Sequence, residues 1–484
     1  MFSFLISIAA LVLGYFLYGK FVERVFGPDP SRPTPAVAKA DGVDFIALPS
    51  WKVFMIQFLN IAGTGPIFGA IMGAKFGPAS YLWVVLGCIF AGAVHDYFTG
   101  MLSLRHGGVG LPELVGTYMG KGARKVALVF SLLLLLLVGT VFVYSPALIL
   151  GDLAGDGSRT AIFLWTAAIF VYYLFATLLP IDKIIGRIYP LFGAALLFMA
   201  AALLVCLLVK WPSLPELWDG LSGWNEKAGI GQQSIFPCLF ITIACGAISG
   251  FHATQSPLMA RCLSDERLGR PVFYVSMITE GLVALIWAAV SSWFFFDGGA
   301  AEVGSDMSAA APAVVTKVAS SWLGIAGGIL ALLGVVAAPI TSGDTAFRSA
   351  RLILAEFIHL DQKPMRKRLY IAVPLFVGSA LLLWFNMADA SGFNVIWRYF
   401  GWANQTLAVL SLWTVTVYLV RKKGGLWYLV TLLPALFMTA VCTAFILVDK
   451  TGFGIRMDAA PGIGIAAFAI ATILFYLWKF RKQK

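Results

Sequence analysis

Thirteen stretches of this chain are long and apolar enough to cross a bilayer, and no other feature limits its fold as strongly. They fall at about 2–19, 51–74, 79–104, 124–150, 160–179, 189–209, 234–262, 271–296, 321–347, 368–388, 395–420, 426–448 and 461–479. A hydrocarbon core needs ~20 such residues per helical crossing. Backbone amides find no water there, so only helices and closed barrels cross. The alternating segments of barrel strands are absent. Charged residues make up 12% of the 484, against roughly 25% in soluble domains. The expectation is an all-α polytopic membrane protein, a single transmembrane domain over residues 1–484. The six cysteines mostly lie inside apolar runs and lack CxxC or metal-ligand spacing, which reads as small buried hydrophobes. The N-terminal run lacks a basic flank and a small-residue cleavage site, so it reads as a retained helix.

Threading the chain back and forth across the membrane sorts the basic residues sharply. With the N-terminus outside, one set of loops carries 27 of the 35 Lys and Arg, among them Arg24, Arg105, Arg261, Arg270, Lys363, Arg421 and Lys484. The other set carries eight: Lys75, Arg159, Lys210, Lys227, Lys317, Arg398, Lys450 and Arg456. Cytoplasmic loops are the basic ones, so the first set faces the cytoplasm and the C-terminus lies there too. The net charge of +11 is then a topology signal rather than a mark of nucleic-acid binding.

The second stretch contains "FLNIAGTGPIFGAIMGAKFG" (58–77), where Asn60, Gly63, Thr64, Gly65 and Pro66 crowd the middle of a would-be crossing. Glycine and proline weaken a helix at that point. The seventh stretch, "FPCLFITIACGAISGFHATQSPLMARCL" (236–263), is interrupted likewise by Gly246, Ser249, Gly250, His252, Thr254, Gln255, Ser256 and Pro257. The seventh comes five crossings after the second, an odd offset, so they run in opposite directions. Paired interrupted segments in two halves point to the binding site of an inverted-repeat transporter. The units would be 51–210 and 234–420, with 1–50 before them and 426–484 after. In the ninth stretch, "LGVVAAPITSGDTAFRSARL" (333–352), Thr341, Ser342, Asp344 and Thr345 sit in one half. Their hydroxyls suit Na⁺ and the carboxylate suits a proton; Asp344 and Arg348, four apart, can also simply pair.

Four blocks carry a family resemblance: "NIAGTGPIFGAIMGAKFGP", "GCIFAGAVHDYFTGMLSLRHGGVGLPELVGTYMG", "ACGAISGFHATQSPLMA" with "MITEGLVALIWAA", and "TSGDTAFRSARLIL", together spanning roughly 50–355. The chain resembles the carbon starvation protein A (CstA) family, including its pyruvate-transporting members. That resemblance implies a LeuT-like core of five plus five helices, as in the amino acid–polyamine–organocation superfamily. It implies uptake of peptides or pyruvate, and no catalysis. It also implies an ion site between the second and ninth stretches, at Ala62, Thr341 and Ser342.

Each candidate has a plainer reading beside it. The freed amides around Asn60, Gly63, Thr64 and Gly65 can hold a substrate carboxylate, or the glycines can serve close packing. His252 can relay a proton or pair with an anionic substrate, or be satisfied by a carbonyl. Gly246, Ser249, Gly250, Thr254 and Gln255 join it as substrate-binding candidates. His95, Asp96 and Glu280 are ionisable residues at membrane depth, which are functional by default; Asp96 can instead pair with a basic residue of a neighbouring helix. Thr341 and Ser342 can hold Na⁺ or bond back to carbonyls of their own helix. Tyr144 can gate the site or anchor the interface. Glu113 reads as a helix-start residue, and Asn404 and Gln405 as glue between helices.

The reading is an inner-membrane secondary transporter that imports a small carboxylate such as pyruvate, or short peptides, coupled to H⁺ or Na⁺. No cofactor beyond the coupling ion, no nucleic acid and no partner beyond substrate and lipid is expected. A P-loop is absent, which removes ATP drive within this chain. An enzyme would need a cytosol-facing catalytic constellation, which four scattered histidines do not supply. A channel, or a transporter-like sensor, is the alternative.

Overall fold

The computed structural model describes residues 1–42, 44–154, 157–178, 181–362, 364–388 and 392–483. Lys363 and Lys484, counted above in the basic set, lie outside them. Among the described residues there is helix, turn and coil but no strand. Helix α1 is Phe2–Phe26. The second stretch forms two helices, α2 (Ser50–Ala62) and α3 (Gly65–Ala74). Then come α4 (Ala79–Arg105), the short α5 (Leu111–Met119), α6 (Lys121–Ala154), α7 (Arg159–Leu178) and α8 (Ile181–Lys210). The second half holds α9 (His252–Ala260), α10 (Val275–Phe296), α11 (Ala311–Phe357), α12 (Met365–Ala388), α13 (Gly392–Lys422), α14 (Leu429–Val448) and α15 (Ala460–Gln483).

Among the described residues, ten helices are long and apolar enough to cross a membrane, or eleven if the bent pair α2–α3 is one crossing. That is fewer than thirteen, and the shortfall falls on the seventh and ninth stretches. The seventh is cut into short pieces. Helix ends at Thr242, residues 243–251 are turn and coil, and helix resumes at His252. The ninth lies in the 47-residue α11, which bends at Gly324 (φ 61°, ψ −166°); glycine adopts that left-handed φ without a Cβ clash.

Contacts between distant loops test the two-sided sorting of charge. Arg105 pairs with Glu266 at 2.9 Å, Arg270 with Glu23 at 2.8 Å, and Arg261 with Glu356. All belong to the basic set of loops. Lys210 pairs with Glu302, Arg398 with Asp449, and Lys450 bonds Gln232. All belong to the other set. Each pair joins loops assigned to one side, so the two sets gather at opposite ends of the helix bundle.

The core sits where the broken stretches meet. Trp287, Phe58, Phe68, Tyr97 and Tyr274 are fully buried within it. The helices at the rim turn apolar side chains outward: Leu164, Val205, Leu381 and Ile465 are all exposed. Such a surface is stable against lipid, where burying apolar side chains brings no gain.

Candidate transport site

The second stretch breaks at Gly63–Thr64, and the two half-helices bend by 46°. Gly63 adopts φ 15°, ψ −144°. A Cβ there would lie 2.6 Å from Phe142 Cζ, so only glycine lets the break nest against α6. Gly65 packs directly on Cys245, at the second break. The two interruptions, far apart in sequence, are neighbours in space. Gln57 Nε2 adds a long contact, 3.4 Å, to Ser256 Oγ of α9.

Around this junction lies a set of buried polar atoms without hydrogen-bond partners among the described residues. They include both side-chain polar atoms of Asn60, Thr64 Oγ1, Gln57 Oε1, Gln255 Oε1, His252 Nε2 and both oxygens of Glu280. Asn60, Thr64, His252, Gln255 and Glu280 are at most 0% exposed. A buried polar atom left unpaired costs about 1–3 kcal/mol. Such a concentration at one place is the mark of a site built for something other than packing.

The second break is held open by α13. Asn404 Oδ1 accepts from Ser249 Oγ at 3.0 Å and from the Phe251 amide at 2.7 Å. Gly250 packs against the α13 backbone, and a Cβ on it would also lie 2.7 Å from Leu407 Cβ. Gly246 approaches Ala284 of α10 just as closely, 2.5 Å from a would-be Cβ. Thus Gly246 and Gly250 serve close packing. Gln405 donates to the Phe240 carbonyl at 3.0 Å. Both polar residues of α13 tie helices together, as the sequence suggested. Thr254 Oγ1 donates to the Phe251 carbonyl at 2.6 Å and accepts from Gln255 Nε2 at 2.9 Å.

Asp96 takes histidines rather than a basic residue of a neighbouring helix. His95 Nδ1 lies 2.8 Å from Asp96 Oδ1, and His252 Nδ1 lies 2.8 Å from Asp96 Oδ2. His95 Nε2 meets Ser411 Oγ at 2.5 Å. On the far side of His252, Nε2 stands 3.4 Å from Glu280 Oε2. Asp96, His252 and Glu280 therefore form one file linking α4, α9 and α10. Cys245 belongs to the same place: its thiol, His252 and Glu280 lie within 4.8 Å of one another. Cys245 is buried, as expected of a small hydrophobe in an apolar run, and it also has these polar neighbours. Its partners come from other segments, so no local spacing announces them.

The ninth stretch brings a second polar group. Ser342 Oγ donates to the Leu59 carbonyl of α2 at 2.8 Å and to its own Ala338 carbonyl at 2.9 Å. Thr341 Oγ1 bonds back to the Ala337 and Ala338 carbonyls, at 3.0 and 2.8 Å. Ala62, the last residue of α2, is buried close by in sequence to that junction. Asp344 Oδ2 accepts from Tyr189 at 2.5 Å and from Tyr172 at 3.2 Å, while Asp344 Oδ1 has no partner among the described residues. Tyr189 also donates to the Thr341 carbonyl, at 2.9 Å. Arg348 donates to the Ala176 carbonyl at 2.8 Å. Tyr144 is half-buried; its ring meets Phe393 and it packs on the apolar cluster that includes Tyr173 and Phe347, with no polar contact to Asp344 among those of the described residues. Sequence reasoning named Glu280 only as an ionisable residue at membrane depth, without setting it beside His252, and did not name Tyr189. A lone Glu inside an apolar run was the signal for the first; the second carried none.

Glu113 sits in the first turn of α5 and pairs with Arg124, the structural role expected of it.

Residues 1–153, 153–326 and 298–445 match the family model described as carbon starvation protein CstA. The chain belongs to the CstA family. A Campylobacter jejuni relative named peptide transporter CstA is 26% identical, over 89% of this chain and 78% of its own. An Escherichia coli relative named pyruvate/proton symporter BtsT is 25% identical, over 91% and 80%. An uncharacterized Haemophilus influenzae membrane protein is 46% identical, over 60% of this chain and 91% of its own. Among solved structures, the Eremococcus coleocola manganese transporter superposes with a TM-score of 0.56 at 12% identity, over 91% of this chain and 98% of that one. That likeness concerns fold. This CstA-family chain is a multi-pass membrane protein whose relatives with functional names are transporters.

Proposed function

We propose that this CstA-family transporter imports a small carboxylate of the pyruvate class by proton-coupled alternating access. One observation carries the reading: two interrupted stretches meet in the bundle core, and the buried polar atoms lacking partners gather at their junction. The helices α3 and α9 both start there. Helix starts carry the positive end of the helix dipole, which attracts a carboxylate; at α9 the His252, Ala253 and Thr254 amides already donate to the Ser249, Gly250 and Phe251 carbonyls, so there the dipole acts without free N–H groups. Asn60 and Thr64 supply side-chain donors beside α3. The residues of the junction are fully buried, so a substrate reaches them only when the bundle opens. Peptide uptake is the second reading, favoured by the name of the Campylobacter relative.

The architecture in this reading is thirteen crossings, N-terminus outside and C-terminus cytoplasmic, with two inverted five-helix units starting at the two broken stretches. The overlay on another transporter and the odd spacing of the breaks support it. Coupling is assigned to the α11 group. Ser342 spends its hydroxyl proton on the Leu59 and Ala338 carbonyls, oxygens that Na⁺ would need. Asp344, with one oxygen unpartnered, is the better acceptor, and it takes a proton. The Ser342–Leu59 bond ties α11 to the half-helix that must tilt during transport. A proton arriving at Asp344, two residues further along α11, biases that junction between outward and inward states.

The test uses proteoliposomes, with uptake of labelled pyruvate and of dialanine measured under separate H⁺ and Na⁺ gradients. Pyruvate accumulation driven by the H⁺ gradient is expected. Asp344→Asn is expected to lose accumulation and keep pyruvate counterflow exchange. Full accumulation by Asp344→Asn, or drive by Na⁺ alone, overturns the assignment.

A further inference from the structure

The transport reading uses the junction's unpartnered atoms together and gives no separate role to three neighbouring side chains there: Cys245, His252 and Glu280. We propose that they bind a divalent transition-metal ion of the zinc class. Their ligating atoms lie within 4.8 Å of one another and all three residues are buried. The proposal goes beyond the transport reading and does not depend on which substrate is carried.

The orientation of His252 is the first argument. Its Nδ1 lies 2.8 Å from Asp96 Oδ2. A carboxylate only accepts, so Nδ1 carries the proton and Nε2 presents its lone pair to Glu280 and Cys245. A carboxylate behind a histidine that faces a metal is the usual support of such a ligand. Asp96 is itself fixed by His95, 2.8 Å from its other oxygen.

The second argument is what the facing atoms do without an ion. His252 Nε2 and both Glu280 oxygens have no hydrogen-bond partner among the described residues, although all are buried. The 3.4 Å between Nε2 and Oε2 exceeds the usual 2.7–3.2 Å of an N–H···O bond. Two ligands each ~2.1 Å from a tetrahedral ion lie ~3.4 Å apart, so the gap fits an edge of that polyhedron. Cys245 Sγ has only long contacts, 3.6 Å to Ser249 Oγ and 3.8 Å from Asn404 Nδ2.

Charge and softness select the ion. A thiolate and a carboxylate together neutralise a divalent cation and the imidazole is neutral, so the ion with its three ligands carries no net charge, and only the Asp96 carboxylate behind His252 keeps its own. Sulfur with imidazole favours zinc-class metals over magnesium or calcium. Three protein ligands leave one tetrahedral position for an outside ligand. Gly65 packs on Cys245, so the ion sits beside the α2–α3 break.

The experiment uses the full chain purified in detergent and stripped with a chelator. It is titrated with Co²⁺, and bound metal is measured by elemental analysis and absorption spectroscopy. About one Co²⁺ per chain is expected, with tetrahedral d–d bands and a thiolate charge-transfer band. Cys245→Ala should lose the charge-transfer band. Glu280→Gln should weaken binding at least ~10-fold. Cys88→Ser, whose thiol contacts the Met277 carbonyl instead, should change neither. Thermal unfolding of the wild-type chain with Zn²⁺ against chelator is read alongside, and Zn²⁺ should raise its Tm. No Co²⁺ above background in the wild-type chain, an unchanged charge-transfer band in Cys245→Ala, or unchanged affinity in Glu280→Gln overturns the site.

Discussion

Asn404→Ala tests whether the second break is imposed from outside. Residues 243–251 are mostly turn and coil in a place where water cannot satisfy the backbone. Asn404 of α13 accepts from the Phe251 amide at 2.7 Å and from Ser249 Oγ at 3.0 Å. Removing it deletes the Ser249 bond, worth about 1 kcal/mol net, and strands the buried Phe251 amide at a cost of about 1–3 kcal/mol. A loss of roughly 2–4 kcal/mol concentrated on this segment follows, which opens it roughly 30- to 900-fold more often at ~1.36 kcal/mol per decade. Amide hydrogen exchange of the purified protein, read on peptides covering 243–251, measures that opening without requiring a substrate. The expected result is faster exchange by that range at the break, with peptides of α14 and α15 unchanged. Exchange at 243–251 within about threefold of wild type would refute the reasoning, since the segment would then hold its shape without α13.

Two further substitutions test the packing of the site and of the basic end. Gly63→Ala puts a Cβ 2.6 Å from Phe142 Cζ and should lower thermal stability by about 1–3 kcal/mol, partly restored by Phe142→Leu; thermal unfolding in detergent checks both. Glu266 is fully buried, pairs with Arg105 at 2.9 Å and accepts from the Asp29 amide at 2.7 Å. Glu266→Ala should cost about 3 kcal/mol, because it leaves a partly buried guanidinium without its partner; a Tm equal to wild type would count against the network.

How much of this was readable beforehand differs by element. The interruption at Gly63–Gly65 was visible because a membrane helix has no local use for glycine, threonine and proline in its middle. The same holds for 246–257. The charge asymmetry placed Arg105, Arg261 and Arg270 at one end, and Glu266, Glu356 and Glu23 meet them there. Asp344 and Ser342 were singled out as polar atoms in an apolar run. The count of crossings was harder to read, because residues 243–251 interrupt a stretch that hydropathy alone reads as continuous.

Composition and hydropathy along the chain thus determined the class of protein, its helices, its two ends and its two breaks. These follow from how each segment solves its own solvation problem, residue by residue. Only the tertiary structure decided that Asp96 would hold His252, that Glu280 and Cys245 would face the other side of that ring, and that Tyr189 would reach Asp344. Those meetings depend on the rotation and depth at which separate helices pack. A twist of one helix by a single residue, about 100°, carries a side chain away from its partner, and nothing in the local sequence records that angle.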